Sequence, residues 1–167
     1  MQKSWSVKRT TVVAVLMAMN VALSSFSIPV PGGHLYFNDV VIIAAALLLY
    51  PSEAFVVGGV GAFLGDFLFY PAPMFVSLVS HGFEALIISY FAHKFAGEQK
   101  KVILGIFIGA AVMVTGYTLG RAFIYATPAI SLVKFPFECL QAAVGAGLGY
   151  NLVYHAGIEK QFQHRLR

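Results

Sequence analysis

The chain is poor in charged residues and has a single cysteine. Asp, Glu, Lys and Arg together make up 11% of its 167 residues, whereas soluble domains carry about 25%. Because Cys139 stands alone, the chain has no internal disulfide and no cysteine-based metal cluster. Hydrophobic residues make up 59% of the sequence, and long apolar runs with few charges are typical of proteins that lie in a bilayer.

Sequence signatures of several enzyme classes are also absent. There is no Gly-x-x-x-x-Gly-Lys-Ser/Thr phosphate-binding loop and no Gly-x-Ser-x-Gly nucleophile elbow. Gly65-Asp66 weakly resembles the motif of an intramembrane aspartyl protease, but Phe63 stands where those enzymes have a glycine. His81 and Glu84 lie three residues apart without a cysteine or a second histidine nearby, so a metal site there is a weak hypothesis. We therefore expect neither an enzyme nor a metal or cofactor site.

Apolar runs divide the chain into six predicted transmembrane helices joined mostly by short connections. About 20 residues are needed to cross about 30 Å of hydrocarbon, and the runs cover about residues 9–27, 36–50, 53–70, 74–93, 102–124 and 136–156. The basic N-terminus ahead of the first run resembles a signal peptide, but five further apolar runs favour a retained first helix. We predict an all-α membrane protein in which residues 1–167 form one domain.

Basic residues are concentrated on one side of these predicted helices, which predicts the orientation of the chain in the membrane. If the N-terminus is cytoplasmic, the outer side carries only Arg121 and Lys134. The inner side then carries Lys3, Lys8, Arg9, Lys94, Lys100, Lys101, Lys160, Arg165 and Arg167. We therefore predict cytoplasmic termini in a multi-pass plasma-membrane protein. The net charge of +4 reflects this bias and does not indicate nucleic-acid binding.

Two longer connections, 28–38 and 125–135, lie on the predicted outer side. Connections of this length in a small helical bundle are typical of a lid or a mouth over a site. The first is kept from forming a helix by Pro29, Pro31, Gly32 and Gly33. Asn38 and Asp39 open the second helix and resemble an N-cap pair more than a ligand site. Asp66, near the outer end of the third helix, is placed to hold the mouth loops through hydrogen bonds.

Small residues recur every four positions in the first helix, at Ala14, Ala18 and Ala22. Such a stripe lets another helix approach closely, and that helix belongs either to this chain or to a partner. Asn20 lies about 200° around the helix from Ala18, so an interior Asn20 would turn the stripe outward to a partner. In the third and sixth helices we interpret the small residues as internal packing: Ala54, Gly58, Gly61, Ala62, Gly65, Gly145 and Gly149.

The fourth helix carries a polar stripe, in which Ser77, Ser80, His81, Glu84 and Ile88 share one face by spacings of three and four residues. The polar part of the stripe starts at the outer end and stops near the midplane. A charge at the bilayer centre costs about 2.5–3.5 kcal/mol and is a functional feature by default. The stripe therefore predicts a pocket open to the outside. The alternative is a His81–Glu84 pair that only holds helices together.

The fifth and sixth helices supply further polar residues in the outer half. Tyr117 and Arg121 lie four residues apart on the fifth helix. Lys134, Glu138 and Gln141 follow the same spacing on the sixth helix. These residues either face the predicted pocket, or Arg121 and Glu138 simply pair with each other.

Two blocks of the sequence resemble the substrate-binding S component of energy-coupling factor (ECF) vitamin transporters. They are the alanine stripe and the stretch "GGHLYFNDVVIIAAALLLYPSEAFVVGGVGAFLGDFLFYPAP", residues Gly32–Pro73. With six spans, the resemblance covers nearly the whole chain, and it points to the branch with riboflavin-like and hydroxymethylpyrimidine-type S components. It implies a six-helix fold that binds a vitamin in its outer half, with 28–38 as a lid.

The resemblance also implies partners and a set of binding residues. The alanine stripe would dock on a membrane-embedded coupling (T) subunit, and two ABC-type ATPase subunits would supply the energy that a chain without a phosphate-binding loop does not supply. The candidate substrate-binding residues fall in the predicted outer half: Tyr36, Asn38, Ser77, His81, Glu84, Tyr117, Arg121, Glu138 and Gln141.

An apolar cleft with a few polar groups suits a small aromatic heterocycle. The aromatic candidates for its lining are Tyr36, Phe37, Phe75, Tyr117 and Phe135. Glu84 or Glu138 would accept a hydrogen bond from a ring amine or a hydroxymethyl group. Hydroxymethylpyrimidine, the thiamin precursor, is the first hypothesis, and pyridoxine stays open because its size and hydroxymethyl pattern are nearly the same. Two other classes also stay open: an accessory membrane protein whose polar pairs only connect helices, and a stand-alone channel.

Overall fold

The computed structural model describes the backbone of residues 6–166 and the side chains of residues 6–162. Two π-helical segments, Val56–Val60 and Arg121–Tyr125, continue neighbouring α-helices. The other elements are α1 (Val7–Ser24), β1 (Ser27–Val30), β2 (Gly33–Tyr36), α2 (Asn38–Leu48), α3 (Pro51–Phe55), α4 (Gly61–Phe69), α5 (Met74–Lys94), α6 (Gln99–Gly120), α7 (Pro128–Tyr154) and α8 (Ile158–Leu166).

Within the described residues, five helices are long and apolar enough to cross a membrane. They are α1, the continuous helix from α3 through α4, α5, α6 with the π segment that follows it, and α7. α2 is a sixth apolar helix of only 11 residues, so it is short for a full crossing. The predicted all-α membrane fold is confirmed, and the short second span is where the sequence placed it.

The six helical segments run alternately up and down, which gives the bundle two distinct ends. We call the end that carries β1 and β2 the hairpin end, and the end at which α1 begins and α7 finishes the terminal end. Between them lies an apolar core that includes the fully buried Ile42, Ile43, Leu49, Val57 and Ile88. α5 is central, because it packs against α2, α3, α4 and α6.

The connection 28–38 contains a β-hairpin and not an irregular loop. Its strands pair antiparallel, with Ser27 opposite Tyr36 and Val30 opposite Gly33. Gly32 turns the chain with φ of 81°, a conformation that a residue with a Cβ rarely adopts. A Cβ at Gly32 would also lie 3.0 Å from the Cβ of Lys134. The hairpin tip is therefore packed closely on α7.

The predicted outer connection 125–135 is wrong, because α7 starts at Pro128. Proline is favourable in the first turn of a helix, and the Thr127 side chain caps this helix by accepting from the Ile130 backbone N–H. Pro136 lies inside the helix and does not start it. The second turn of α7 is thus a wall of the bundle and not part of a mouth loop.

The two basic residues assigned to the outer side lie inside the bundle. The exposed fraction is 7% for Arg121 and 1% for Lys134. Lys3 and Arg167 lie outside the described residues, as does the side chain of Arg165. Cytoplasmic termini stay a prediction, which now rests on the other basic residues at the terminal end.

Asn20 faces the bundle interior and is fully buried, as the outward alanine stripe requires. Ala14, Ala18 and Ala22 are exposed, and the first two line a shallow groove with neighbouring residues of α1. The glycines of the third and sixth spans behave as predicted, since an added Cβ at Gly58 would meet the Ala85 Cβ at 2.8 Å. Docking of a partner on the stripe stays a prediction.

Candidate functional site

A cavity of about 640 Å³ opens at the hairpin end of the bundle. It lies among α2, α4, α5, α6 and α7, with the hairpin over it. Its lining includes Tyr36, Asn38, Asp66, Tyr70, His81, Tyr117, Arg121, Tyr125, Glu138 and Gln141. Aromatic walls with a few polar groups are typical of sites for small organic ligands.

The polar stripe of α5 forms one wall of the site, and each of its polar residues is buried. At the top of the stripe, Tyr117 donates a hydrogen bond of 2.5 Å to Ser77 Oγ. Ser77 in turn donates to the carboxylate of Asp66 on α4. Asp66 therefore connects α4 to α5, whereas the sequence placed it to hold the mouth loops. Asp66 also lines the cavity.

His81 is the deepest polar group of the α5 wall that lines the cavity. Its Nδ1 lies 2.8 Å from Glu84 Oε2, and its Nε2 lies 3.7 Å from Asp39 Oδ1. The Tyr117 ring packs edge-on against the imidazole at 5.3 Å between centroids. Glu84 thus fixes the His81 ring through Nδ1, whereas Asp39 lies beyond hydrogen-bond distance of Nε2. Glu84 lies behind the imidazole and is not part of the cavity lining.

Gln141 of α7 connects the hairpin to the floor of the site. The Tyr36 backbone N–H donates to Gln141 Oε1 at 2.9 Å, and Gln141 Nε2 donates to Asp39 Oδ2 at 3.1 Å. These partners orient the amide. Burial raises the pKa of Tyr36 to about 12, so its hydroxyl is protonated at neutral pH and is available as a donor.

Asn38 and Asp39 do not cap α2, because its N-cap residue is Phe37 and no side chain caps it. Both side chains instead point into the bundle and are buried. Asn38 Nδ2 donates to Asn20 Oδ1 at 3.2 Å. The predicted N-cap pair is therefore wrong, because the polar contacts of both residues are made with other helices.

Arg121 and Glu138 pair with each other, which was one of the two alternatives predicted from the sequence. Arg121 Nη2 donates to Glu138 Oε1 at 2.5 Å, and Lys134 Nζ lies 3.7 Å from the same oxygen. All three side chains are buried, so two cations share one carboxylate. The ion pair and the pocket are compatible, because Arg121 and Glu138 also line the cavity.

Several buried polar atoms around the site have no hydrogen-bond partner among the described residues. Such atoms are rare in folded proteins, and each needs an explanation. Three belong to cavity-lining residues and three to residues just behind them: Asn38 Oδ1, Arg121 Nη1 and Tyr125 OH, then Asp39 Oδ1, Glu84 Oε1 and Lys134 Nζ.

The structure brings the predicted binding residues together. Ser77 and Glu84 contact lining residues from behind, and the other seven line the cavity directly: Tyr36, Asn38, His81, Tyr117, Arg121, Glu138 and Gln141. Two aromatic residues predicted to line the cavity do not do so. The exposed fraction is 63% for Phe75 and 45% for Phe135, and both lie on the outside of the bundle. Phe37 is not part of the lining.

Sequence reasoning missed Tyr70 and Tyr125, which line the cavity from the ends of spans. Their position next to short connections at the hairpin end was the available signal. Asp39 was also missed as part of the site. It precedes Ile42 and Ile43 by three and four residues, and both isoleucines are fully buried, so helical spacing places Asp39 on the interior face.

A second cavity, of about 550 Å³, lies at the terminal end and shares no lining residue with the first. Its wall includes Arg9, whose guanidinium lies 4.4 Å from the centre of the Tyr50 ring. Arg9 Nε also donates to Glu53 Oε1 at 2.7 Å. Within residues 6–166, neither cavity holds three His, Cys, Asp or Glu side chains placed to bind a metal ion.

The chain has recognisable relatives. Residues 4–160 match the family model described as ECF-type riboflavin transporter, S component. An uncharacterised protein from the gap 3′ region of Pyrococcus woesei is 33% identical over 84% of this chain and 97% of its own length. The protein called thiamine precursor transporter HmpT, from Lactococcus lactis subsp. cremoris strain MG1363, is 30% identical over 72% of this chain and 70% of its own length.

The fold has a solved counterpart. A structure of the S component of a bacterial ECF transporter aligns with a TM-score of 0.75 and 21% sequence identity, over 90% of this chain and 95% of that one. A bundle of apolar helices with a polar cavity at one end defines a membrane-embedded binding component of a transporter. The chain belongs to the S component family of ECF-type riboflavin transporters.

Membership of this family makes the chain a multi-pass membrane protein and a transporter subunit, not an enzyme. ECF S components work in a complex with T and ATPase subunits. The hypothesis of a purely accessory membrane protein is thereby set aside.

Proposed function

We propose that this S component binds hydroxymethylpyrimidine, the thiamin precursor, in the cavity at the hairpin end. The observation that carries the proposal is the cavity lining, which combines aromatic rings with a small number of buried donors and acceptors. This composition fits a small heterocycle with polar substituents. The relative called thiamine precursor transporter HmpT supports the same substrate class.

The binding roles follow from the contacts of each residue. Tyr36 and Tyr117 supply aromatic surface for the ring. His81 is held by Glu84 at Nδ1, which leaves Nε2 for the ligand's polar edge. Arg121 and Glu138 neutralise each other and offer a donor and an acceptor, while Gln141 ties the hairpin to the site.

In this proposal the hairpin is a lid that opens to the outside of the cell. Tyr36 bonds to Gln141, and the His34 ring contacts the Tyr70 ring at 6.2 Å between centroids. In this proposal, these two contacts hold the hairpin over the cavity. The alanine stripe of α1 docks on the coupling subunit, and two ATPase subunits drive release to the cytoplasm.

Pyridoxine is the second candidate substrate. One of its two hydroxymethyl groups corresponds to the single hydroxymethyl group of the pyrimidine, and its ring hydroxyl suits the unpartnered Arg121 Nη1 and Tyr125 OH. Both ligands fit a cavity of this volume, so size does not separate them.

Calorimetric titration of the purified, detergent-solubilised chain tests the assignment. Hydroxymethylpyrimidine, pyridoxine and riboflavin are titrated separately, and mass spectrometry identifies any small molecule that co-purifies at near-equal stoichiometry. We expect one-to-one binding of hydroxymethylpyrimidine that is tightest among the three. Saturable binding of riboflavin with no response to the pyrimidine would overturn the substrate assignment, as would tighter binding of pyridoxine.

A further inference from the structure

Three polar groups form a continuous relay from the core of the bundle to the cavity. Asn20 Nδ2 donates to the Val57 carbonyl at 2.7 Å, and Asn38 Nδ2 donates to Asn20 Oδ1 at 3.2 Å. The relay therefore connects the π segment, α1 and α2. Asn20 is fully buried and Asn38 is 6% exposed, so water does not compete with these bonds.

The relay fixes which way both amides point. A backbone carbonyl only accepts hydrogen bonds, so the Asn20 group that faces Val57 must be its NH₂. Asn20 Oδ1 is then the atom that faces Asn38, and the Asn38 group that meets it must also be an NH₂. The remaining atom of the Asn38 amide is Oδ1. Its acceptor character is thus set by a carbonyl in another helix.

Asn38 lies in the cavity wall, and its Oδ1 has no partner among the described residues. A buried acceptor without a partner is destabilising, which is tolerated at sites where a ligand supplies the missing donor. Asp66 of α4 adds a carboxylate to the same cavity lining.

The π segment that follows α6 supplies unpartnered donors. Arg121 Nη1 and Tyr125 OH lack partners, and both residues line the cavity. Arg121 Nη1 is only a donor, because a guanidinium group has no acceptor, and the other terminal nitrogen, Nη2, already donates to Glu138. The cavity lining thus includes an unpartnered acceptor on α2 and unpartnered donors on the π segment after α6.

We propose that Asn38 Oδ1 accepts a hydrogen bond from an amine attached to the ligand ring, and that Arg121 Nη1 and Tyr125 OH serve the ligand's acceptor atoms. This inference rests on the proposed function, and it makes aminopyrimidines the preferred ligands of the site. Asn38 is the residue that recognises the amine. Asn20 is a positioning residue, which keeps the Asn38 oxygen turned toward the ligand.

The test compares two ligands that differ only in the amine: 4-amino-5-hydroxymethyl-2-methylpyrimidine and 5-hydroxymethyl-2-methylpyrimidine. Loss of a hydrogen bond to a buried acceptor lowers affinity by about ten- to hundredfold. The wild-type chain is therefore expected to bind the amine at least tenfold more tightly in calorimetric titration. Equal affinities would overturn the inference and leave the proposed function standing, whereas no binding of either pyrimidine would overturn both.

Variants of Asn38 and Asn20 show which residue causes the preference for the amine. Asn38→Leu keeps the branched shape of the side chain and removes the acceptor, so the preference for the amine should disappear. Asn20→Leu should reduce the preference for the amine, although residue 20 does not line the cavity. The matched control is Asn151→Leu, an exposed asparagine on α7, which should keep the wild-type ratio.

Each outcome of the variant series decides the question. An unchanged ratio in Asn38→Leu would show that another group recognises the amine. If Asn38→Leu does not fold, the wild-type ratio and the ratio in Asn20→Leu still test the acceptor, because equal affinities of the wild type for the two ligands contradict it. The ratio of the two ligand affinities, measured on folded protein, does not depend on a general loss of stability.

Discussion

His81 Nδ1 lies 2.8 Å from Glu84 Oε2, one helical turn away on α5, and both side chains are buried. The two residues have different relations to the cavity, because His81 lines it and Glu84 lies behind the imidazole. A buried carboxylate in a membrane-spanning helix is tolerated when it pairs with a neighbouring polar group. The pair thus orients a ring that faces the ligand.

The first prediction concerns this pair. His81→Ala should weaken binding of hydroxymethylpyrimidine by about ten- to hundredfold, because it removes a hydrogen-bonding group from the site. Glu84→Gln should have a smaller effect, since it acts only through the imidazole. Calorimetric titration measures both variants, and His93→Ala at the other end of α5 is the control. If the His81 variant binds normally and only its melting temperature falls, the pair is structural.

The second prediction concerns the buried ion pair of Arg121 and Glu138. Arg121→Met leaves a buried carboxylate without its main partner, which destabilises proteins by about 3–5 kcal/mol. Arg121→Met combined with Glu138→Leu and Lys134→Met removes all three buried charges and should recover most of that stability. Chemical denaturation in detergent measures the free energies of unfolding of the wild type and the two variants. Ligand affinity should fall in the single and the triple variant alike, because both remove the donor at Nη1.

The third prediction uses two glycines of α7 with different surroundings. A Cβ at Gly145 would lie 2.5 Å from the Cβ of Asp39, whereas a Cβ at Gly147 would meet nothing within 4 Å. Gly145→Ala should therefore lower the melting temperature, by an overpacking penalty of about 1–3 kcal/mol, and weaken ligand binding through the displaced Asp39. Gly147→Ala should bind the ligand as the wild type does and should not melt at a lower temperature, because alanine is more favourable than glycine in a helix by about 1 kcal/mol. Equal behaviour of the two variants would contradict the close approach of α7 to α2.

The fourth prediction concerns the alanine stripe. Ala18→Leu or Ala14→Trp fills the exposed groove of α1, and should prevent co-purification with the coupling subunit because a larger side chain blocks close helix approach. Ligand binding by the isolated chain should be unchanged, since the stripe faces away from the cavity. Ala111→Leu, at an exposed alanine of α6, is the matched control. Normal assembly of both stripe variants would refute docking through this surface.

The fifth prediction concerns energy. In liposomes, the chain alone should bind hydroxymethylpyrimidine but not concentrate it. Addition of the T and ATPase subunits with ATP should produce accumulation, and ATPase subunits that do not hydrolyse ATP should abolish it. Uptake of radiolabelled ligand measures both states. Concentrative uptake by the chain without partners would show that the energy has another source.

Periodicity was sufficient to predict six spans and the buried face of α5. Helical spacing also predicted that an interior Asn20 would turn the alanine stripe outward, because the two lie on opposite sides of one helix. These features depend on residues within a single helix. The pattern of apolar and polar residues records them directly.

Features that depend on contacts between helices were not predicted. The start of α7 was missed because Lys134 resembles a loop residue until its neighbours Arg121 and Glu138 are placed beside it. The bond between Asn38 and Asn20 was not predicted, because the two residues lie 18 positions apart in the sequence. No local signal marks the π segment Val56–Val60, although its carbonyl at Val57 sets the orientation of both amides.

The apolar layer between the two cavities has an electrical consequence. Ile42, Ile43, Leu49 and Ile88 are all 0% exposed, and the cavities above and below them share no lining residue. A dry layer of this kind presents a high barrier to any ion. Planar bilayers that contain the chain should therefore show no conductance above background, with or without ligand. A cell can then hold many copies of this subunit that lack their partner subunits, without loss of its membrane potential.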